Sequence, residues 1–213
     1  MQYDITFIHT ASIHIQTFDE IMAELAPLLM INHVVDVSLL VHAQQFGMDE
    51  ILSANLTQQL EALTLQSKVI VITCSSIGAL AEDIGSLNGC VIQRVDRAMA
   101  DYAVKQGGNI LVLAALESTL NPTQDLLETS MLDMDHSVNL TFKCIEHAWQ
   151  YFQNGDLTQY FACIERSLKL NENQFDLIVL AQASMAGVMG QISLNIPVLS
   201  SPKLGVQRAI EAL

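Results

Sequence analysis

Short apolar runs rich in β-branched residues alternate along the chain with longer segments whose apolar residues recur at helical spacing. This alternation is typical of α/β proteins with largely parallel sheets. The short runs predict strands at residues 5–9, 34–40, 68–73, 90–95, 109–116, 138–143, 176–181 and 196–200. The helical patterns predict helices at residues 18–30, 48–65, 96–106, 150–170 and 204–213, with others after residues 78, 121 and 181. The segment at 150–170 could be one helix or two helices separated near residues 154–156.

Two strand segments of the first half resemble two segments of the second half. The offsets between the paired segments are 108 and 105 residues, close to half of the 213-residue chain. Such offsets favour a duplication, although any two buried strands share some composition by chance. The paired segments are KVIVITCSSIG at 68–78 with DLIVLAQASMA at 176–186, and ITFIHT at 5–10 with ILVLAA at 110–115.

The repeat predicts two pseudo-symmetric Rossmann-like halves with parallel sheets, and an active-site cleft between them. The first half is expected to comprise residues 1–90 and 197–213, and the second residues 91–196. In the repeat alignment Cys74 corresponds to Gln182, and Ser76 corresponds to Ser184.

Composition narrows the classes of function. Hydrophobic residues make up 51% of the chain, which suits a compact core, and the formal net charge is -14. An acidic chain repels a phosphate backbone, so we expect no nucleic-acid partner. No apolar run reaches the roughly 18 residues that a membrane helix needs. The first residues show no basic segment followed by a long apolar one, so we expect no signal peptide and a cytoplasmic location.

Cys74 is the strongest candidate for chemistry. It directly follows a predicted buried strand, where ligands bind in open parallel sheets, and precedes a predicted helix. Free backbone N–H groups at that turn would lower the pKa of the thiol, and with the hydroxyls of Ser75 and Ser76 they could hold a substrate carboxylate. The alternative is that Cys74 is a small buried apolar residue. The four cysteines show no zinc-site spacing, so no metal is predicted.

Three further side chains are candidates for substrate binding. Thr10 and Thr119 follow corresponding strands of the two halves, and each could donate a hydroxyl to a ligand. A turn or a helix N-cap explains these threonines equally well. His9 could serve as an acid–base group, although a structural histidine with satisfied nitrogens is the alternative.

Four segments together resemble the aspartate/glutamate/hydantoin racemase superfamily, which includes maleate isomerases and arylmalonate decarboxylases. The resemblance follows the order of elements over nearly the whole chain. It implies an α/β enzyme that acts on a small carboxylic acid or amino acid without a metal or organic cofactor, and a homodimer is common among such proteins. The segments are IVITCSSIG at 70–78, LESTLNPTQDLL at 116–127, DLIVLAQASMAG at 176–187 and IPVLSSPKLGV at 196–206.

Racemases of this superfamily use two cysteines, one from each half, as paired acid and base. By resemblance the first corresponds to Cys74. The second should fall in the segment at 180–183, where this chain has Gln182. The resemblance also implies that Gln182, Ala183 and Ser184 line the substrate site. Because an amide neither takes a proton from carbon nor returns one efficiently, the two-thiol mechanism does not carry over directly.

Three interpretations follow from the missing thiol. Cys74 could act alone in a racemase, isomerase, lyase or decarboxylase in which one protonation face suffices. Another group, such as His9, could supply the second proton. Alternatively, the chain is a non-catalytic protein that binds a small carboxylate, with Gln182 hydrogen-bonded to the ligand. A redox-sensing cysteine is a weaker idea, because it requires a resolving cysteine near Cys74.

Overall fold

The chain divides into two compact units. The structure is a computed structural model that describes residues 2–190 and 192–213. The first unit runs to Ala98 and is completed by Pro202–Leu213, and the second unit is Met99–Ser201. The division therefore falls near the beginning of one helix and near the beginning of another, and not in extended linkers.

The first unit contains a five-stranded sheet with the strand order β2-β1-β3-β5-β4. Its strands are parallel except for β4, a two-residue edge strand that pairs antiparallel with β5. The elements in chain order are β1 (Tyr3–His9), α1 (His14–Leu25), β2 (Ile31–Val35), α2 (Val37–Phe46), α3 (Glu50–Thr64), β3 (Ser67–Ile72), a 3-10 helix at Ser75–Ile77, α4 (Gly78–Ile84), β4 (Ser86–Leu87) and β5 (Cys90–Arg94).

The second unit contains a four-stranded parallel sheet with the order β7-β6-β8-β9. The helix α5 leads into it, and α9 returns the chain to the first unit. The elements are α5 (Arg97–Gln106), β6 (Asn109–Ala114), a 3-10 helix at Glu117–Thr119, α6 (Leu120–Asp133), β7 (Asn139–Cys144), α7 (Ala148–Gln153), α8 (Leu157–Asn171), β8 (Leu177–Leu180), a 3-10 helix at Ala183–Val188, β9 (Val198–Ser200) and α9 (Ser201–Glu211).

The two sheets share one topology. The order β2-β1-β3-β5 in the first unit matches β7-β6-β8-β9 in the second, strand for strand in chain order. The strands paired in the sequence repeat, β1 with β6 and β3 with β8, occupy equivalent positions. The α/β class with parallel sheets is thereby confirmed, and the internal repeat is visible in the topology of each unit.

The first sheet is buried on both faces, as expected for parallel strands whose connections are helices. One face packs against α1 and α9 through a cluster that includes Phe7, Phe18 and Val206. The other face packs against α3 through residues such as Ile70 and Leu56. Successive residues of a strand point to opposite faces, so the apolar run of β3 supplies both clusters. Each large side chain buried in this way contributes about 1.5–3 kcal/mol.

One predicted strand is wrong. The apolar run at residues 34–40 was expected to be extended, but β2 ends at Val35 and α2 begins at Val37. Asp36 stands between them, and its side chain accepts hydrogen bonds from the backbone N–H and the hydroxyl of Ser38. This N-cap starts a helix inside a run that by composition alone is ambiguous between strand and helix.

Candidate functional site

Cys74 lies where the sequence placed it, at the turn from β3 into a short helical segment. The Thr73 N–H donates to the carbonyl of Ile8 over 3.0 Å, which extends the β1–β3 pairing by one residue. Cys74 keeps an extended backbone and precedes the 3-10 helix at Ser75–Ile77, which runs directly into α4. The backbone thus leaves the sheet at the carboxyl end of its strands.

Three donors surround the sulfur of Cys74. They are the hydroxyl of Thr10, which follows β1, and the backbone N–H groups of Ser76 and Ile77. All three favour the thiolate, but burial of the thiol outweighs them, and the carboxylate of Asp96 acts in the same direction as burial. The pKa of the Cys74 thiol is therefore raised, although the N–H groups of the turn act to lower it as the sequence predicts.

A raised pKa changes which chemistry the thiol can perform. A buried thiol keeps its proton at neutral pH, so Cys74 begins as an acid and not as a thiolate base. Once the proton has left, the three donors hydrogen-bond the thiolate that remains. The arrangement therefore suits delivery of a proton to a substrate carbanion, followed by return of a proton to sulfur.

The other cysteines lack this set of donors. Burial raises the pKa of Cys90 to about 11. The pKa of Cys144, exposed at the end of β7, is raised by partial burial and then by the carboxylates of Glu117 and Glu146, against one backbone N–H. Cys74 is distinguished by a hydroxyl and two N–H groups that converge on its sulfur.

An ion-pair network packs against the start of α4, the helix that follows the Cys74 turn. The Arg94 guanidinium donates to both oxygens of Asp96, over 2.6 and 3.1 Å, and to Glu82 over 3.2 Å. Glu82 is also paired with Arg97. A Cβ atom on Gly78, the first residue of α4, would lie 2.8 Å from Arg94 Nε, so this glycine permits the close approach. The sequence alone does not predict this network, although the charged residues of RVDR at 94–97 begin at the last residue of β5.

His9 is completely buried, and both of its ring nitrogens have partners. Nδ1 lies 2.8 Å from Thr73 Oγ1, and Nε2 lies 2.8 Å from His33 Nδ1. Burial lowers the pKa of His9 to about 3, and the charges of His33 and His14 act in the same direction. With both nitrogens occupied, His9 can influence chemistry only through these neighbours.

In the second unit Gln182 occupies the position after β8 that Cys74 occupies after β3. Its Oε1 accepts hydrogen bonds from the backbone N–H groups of Ala115, over 2.6 Å, and Leu116, over 3.2 Å. The carbonyl end of the side chain therefore ties the end of β6 to the end of β8. Within the part of the chain that the structure describes, the Nε2 group of Gln182 makes no hydrogen bond.

The remaining predicted residues of the second unit are also at strand ends. Thr119 is buried, and its carbonyl accepts the hydroxyl of Thr123 over 2.8 Å. Ala183 and Ser184 begin the 3-10 helix after β8, and Ser184 Oγ lies 2.8 Å from the hydroxyl of Tyr160. Burial raises the pKa of Tyr160, so its hydroxyl remains protonated. Their contact with a substrate stays a prediction.

The structure brings the predicted residues of the first unit together at one edge of its sheet. Thr10, Cys74, Ser75 and Ser76 are adjacent there, with Ser75 and Ser76 buried at 4% and 7% exposure. Among residues 2–190 and 192–213, no cluster of three or more His, Cys, Asp or Glu side chains is placed to hold a metal ion. No helix within those residues has the length and apolar character required to cross a membrane.

The known proteins that match this chain do so in their three-dimensional fold. No protein-family model matches the sequence, and comparison with curated proteins gives no match either. An aspartate racemase from Picrophilus torridus superposes with a TM-score of 0.75 at 15% identity, over 100% of this chain and 94% of its own. A glutamate racemase from Bacillus anthracis matches with a TM-score of 0.71 at 14% identity, over 98% of this chain and 81% of its own.

A third similar structure is an arylmalonate decarboxylase variant in a sulfate-associated form. It matches with a TM-score of 0.61 at 16% identity, over 98% of this chain and 92% of its own. At these identities the likeness concerns the fold. The chain has the fold of the aspartate/glutamate racemase superfamily, as its sequence motifs predict.

Proposed function

We propose that this protein is a cofactor-independent enzyme of the racemase type, an isomerase or lyase acting on a small carboxylic acid or amino acid through the single thiol of Cys74. The observation that carries the proposal is the convergence of Thr10, Ser76 and Ile77 on a thiol whose pKa is raised. Racemases and a decarboxylase share the fold, which supports a carboxylate substrate.

A single acid suits reactions that need one protonation face. In a decarboxylation the bond from Cα to the carboxylate breaks, CO₂ leaves, and the electron pair stays on Cα. The S–H bond of Cys74 then breaks, its proton joins Cα, and the thiolate later regains a proton from water. Gln182 offers no second acid of comparable strength, so this scheme is favoured over racemisation by two matched thiols.

The substrate carboxylate is assigned to the turn that follows Cys74. Ser75 and Ser76 are buried and directly follow Cys74, and their hydroxyl groups are proposed as donors to the carboxylate. In the second unit, Gln182 Nε2 and the hydroxyl groups of Thr119 and Ser184 are proposed as further ligand contacts. This chain has few Lys and Arg residues, so hydroxyl and amide donors are the expected means of holding an anion.

The test is turnover in heavy water. The purified protein is incubated with aspartate, glutamate, maleate and a series of arylmalonates, and Cα deuteration, isomerisation and CO₂ release are followed by NMR. We expect activity on one class, and loss of an acid–base group should slow it by about 10²–10⁴-fold in Cys74→Ser. Cys144→Ser, an exposed thiol at the end of β7, is the matched control and should retain activity. Absence of turnover throughout, or equal rates in Cys74→Ser, overturns the proposal.

A protein that binds a carboxylate without chemistry is the second candidate. Gln182 favours it, because an amide stands where a second proton-transfer group would be needed for racemisation. Thermal-shift measurements separate the two candidates. Stabilisation by a carboxylate that is never turned over supports binding alone, since any ligand that prefers the folded state raises the melting temperature.

A further inference from the structure

A chain of polar side chains runs through the first unit from its surface to the end of β3. Asp19 Oδ1 lies 3.1 Å from His33 Nε2. His33 Nδ1 lies 2.8 Å from His9 Nε2, and His9 Nδ1 lies 2.8 Å from Thr73 Oγ1. The Asp19 side chain is 53% exposed, that of His33 is 13% exposed, and His9 is fully buried. A solvent-exposed carboxylate is thus connected to the residue that precedes Cys74.

The Thr73 hydroxyl stands at a branch of this chain. It has one proton and two acceptors within reach, His9 Nδ1 at 2.8 Å and the carbonyl of Ile8 at 3.0 Å. A hydroxyl can donate to only one of them at a time. The choice depends on whether His9 Nδ1 carries a hydrogen.

Counting protons gives one arrangement in which both histidines are neutral. The Asp19 carboxylate can only accept, so His33 donates from Nε2, and its Nδ1 must then accept. His9 therefore carries its hydrogen on Nε2, and its Nδ1 accepts from Thr73. In this state every donor in the chain points outward, from Thr73 toward Asp19.

One added proton gives the second arrangement. When His33 is doubly protonated, its Nε2 donates to Asp19 and its Nδ1 donates to His9 Nε2. His9 must then carry its hydrogen on Nδ1, from which it donates to Thr73, and the Thr73 hydroxyl turns to the carbonyl of Ile8. Between the two arrangements the hydrogen on His9 Nε2 passes to His33 Nδ1 and the one added proton ends on His9 Nδ1, so the hydrogen bonds at the buried end reverse.

The groups around His9 disfavour a positive charge on the His9 ring. The aromatic rings of Phe7 and Phe18 flank it, with ring centroids 6.2 and 5.2 Å away. From α1, His14 faces it at 6.1 Å. His9 thus stays neutral, because burial and then the charges of His33 and His14 lower its pKa to about 3.

Other groups on the elements packed around His9 contribute no competing charge to its ring. Asp19, also on α1, faces His33. Asp36, at the end of β2, meets His9 through its backbone N–H, which donates to the His9 carbonyl over 2.8 Å. On β3 the neighbours are the Thr73 hydroxyl and, one residue further, the thiol of Cys74.

The buried end of this switch adjoins the candidate site. Thr10, which follows His9, donates to the sulfur of Cys74, and Cys74 itself follows Thr73. A reversal of the Thr73 hydroxyl therefore acts on the two strand ends that hold the thiol. We propose that Asp19, His33, His9 and Thr73 form a proton-driven tautomer switch that positions the Cys74 thiol. The role of the switch in catalysis rests on the proposed function, but the switch itself does not.

The test is ¹⁵N NMR of the histidine rings from pH 8 to pH 5, the range in which histidines ordinarily change charge. At pH 8 we expect His9 to be protonated on Nε2. On acidification it should convert to the Nδ1–H tautomer without becoming an imidazolium, while His33 becomes doubly protonated. A His9 ring that keeps one tautomer while His33 titrates overturns the switch, and so does direct formation of a His9 imidazolium.

Variants test the coupling to Cys74. Asp19→Asn removes the carboxylate that accepts from His33 Nε2, so the pH dependence of the His9 tautomer should change. Glu20→Gln, on the same exposed helix, is the matched control and should leave the conversion in place. The alkylation rate of Cys74 should show an inflection at the conversion pH, and that inflection should move with Asp19→Asn. An alkylation profile without the inflection overturns the positioning role, whether or not a substrate is ever found.

Discussion

The chemistry of Cys74 is decided by a competition between burial and hydrogen bonding. Backbone N–H groups at a turn into a helix are usually taken to activate a thiol, and Ser76 and Ile77 supply two of them. Here the loss of hydration raises the pKa more strongly than the donors lower it, and the carboxylate of Asp96 adds a smaller effect in the same direction, so the thiol holds its proton. The donors that would favour a thiolate nucleophile in a hydrated turn therefore surround a protonated thiol here.

Gln182 has a structural role that a cysteine could not fill in the same way. Its Oε1 accepts from two backbone N–H groups at the end of β6, and the Ala115 N–H is in a buried residue. A thiol is shorter and a weaker acceptor, so it would leave at least one of these donors unsatisfied. A cysteine at position 182 would therefore change the local scaffold as well as the chemistry.

The first residue-scale prediction concerns this bridge. Gln182→Ala should lower the free energy of unfolding by about 1–3 kcal/mol, because two backbone donors lose their acceptor. Urea denaturation measures the change. Gln174→Ala is the control, since Gln174 is exposed and donates only to the carbonyl of Leu170. Equal stability of the two variants would show that the bridge contributes nothing.

The sequence could predict residues of the candidate site only where they follow a predicted strand. Thr10, Cys74 and the serines after it were found because each follows an apolar run, and parallel strands end at one edge of a sheet. His33 and Asp19 were missed. His33 pairs in register with Phe7, which places it diagonally across from His9 on the same face of the sheet. Such a contact between β1 and β2 depends on strand register, which composition does not specify.

At the scale of elements, prediction succeeded where one signal dominated and failed where two competed. The apolar runs of β3 and β6 have no rival interpretation, and both are strands. In the run at 34–40, apolar β-branched residues favour a strand while Asp36 favours a helix start, and the cap prevailed. The break that the sequence allows near residues 154–156 is present, because α7 and α8 are separated at Gly155, whose φ of +74° lies in the left-handed region.

A close helix–strand contact explains the glycine in the final helix. A Cβ atom at Gly205 would lie 2.3 Å from the carbonyl oxygen of Val95 and 2.6 Å from its Cγ2. The backbone of α9 therefore rests directly on the chain just after β5. Neither Val95 nor the helix can yield without moving a whole element, because Val95 and the neighbouring Val206 are both fully buried.

Gly205→Ala should consequently destabilise the protein. Overpacking of this kind costs about 1–3 kcal/mol, which exceeds the gain of about 1 kcal/mol from replacing glycine inside a helix. Gly190→Ala is the matched control, because no atom lies within 4 Å of its added Cβ. Thermal and urea unfolding of the two variants should differ clearly. Similar midpoints would mean that α9 does not approach β5 as closely as described.

At the scale of the whole molecule, two units repeat one topology but differ in the polar groups at their strand ends. The first unit has a histidine at the end of β1, another within β2 and a thiol after β3, whereas the second has an amide after β8. The duplication therefore fixes where functional groups can lie, and later substitution decides what each unit contributes. On this basis the acid–base chemistry and the pH sensitivity of the protein are expected to reside in the first unit.

The last prediction is a loss of global stability in mild acid. Burial lowers the pKa of His9 to about 3 and that of His14 to about 4, against an ordinary value of 6.5. Below pH 6.5 these two histidines bind protons in the unfolded chain but not in the folded chain. Their full contribution to stability is therefore present above pH 6.5, and it is lost as the pH falls toward the pKa values of the folded state. Each histidine contributes at most about 1.4 kcal/mol per pH unit.

Urea denaturation at pH 8.0, 7.0 and 5.5 measures this dependence. The free energy of unfolding should be nearly constant between pH 8.0 and 7.0, and lower by about 1–3 kcal/mol at pH 5.5, before most carboxylates titrate. His14→Gln removes one of the two buried rings, so it should roughly halve the loss while leaving the stability at pH 7.0 less affected than the slope. A wild-type stability that is flat down to pH 5.5 would mean that His9 and His14 accept protons in the folded state, which the burial of His9 beside Phe7 and Phe18 argues against.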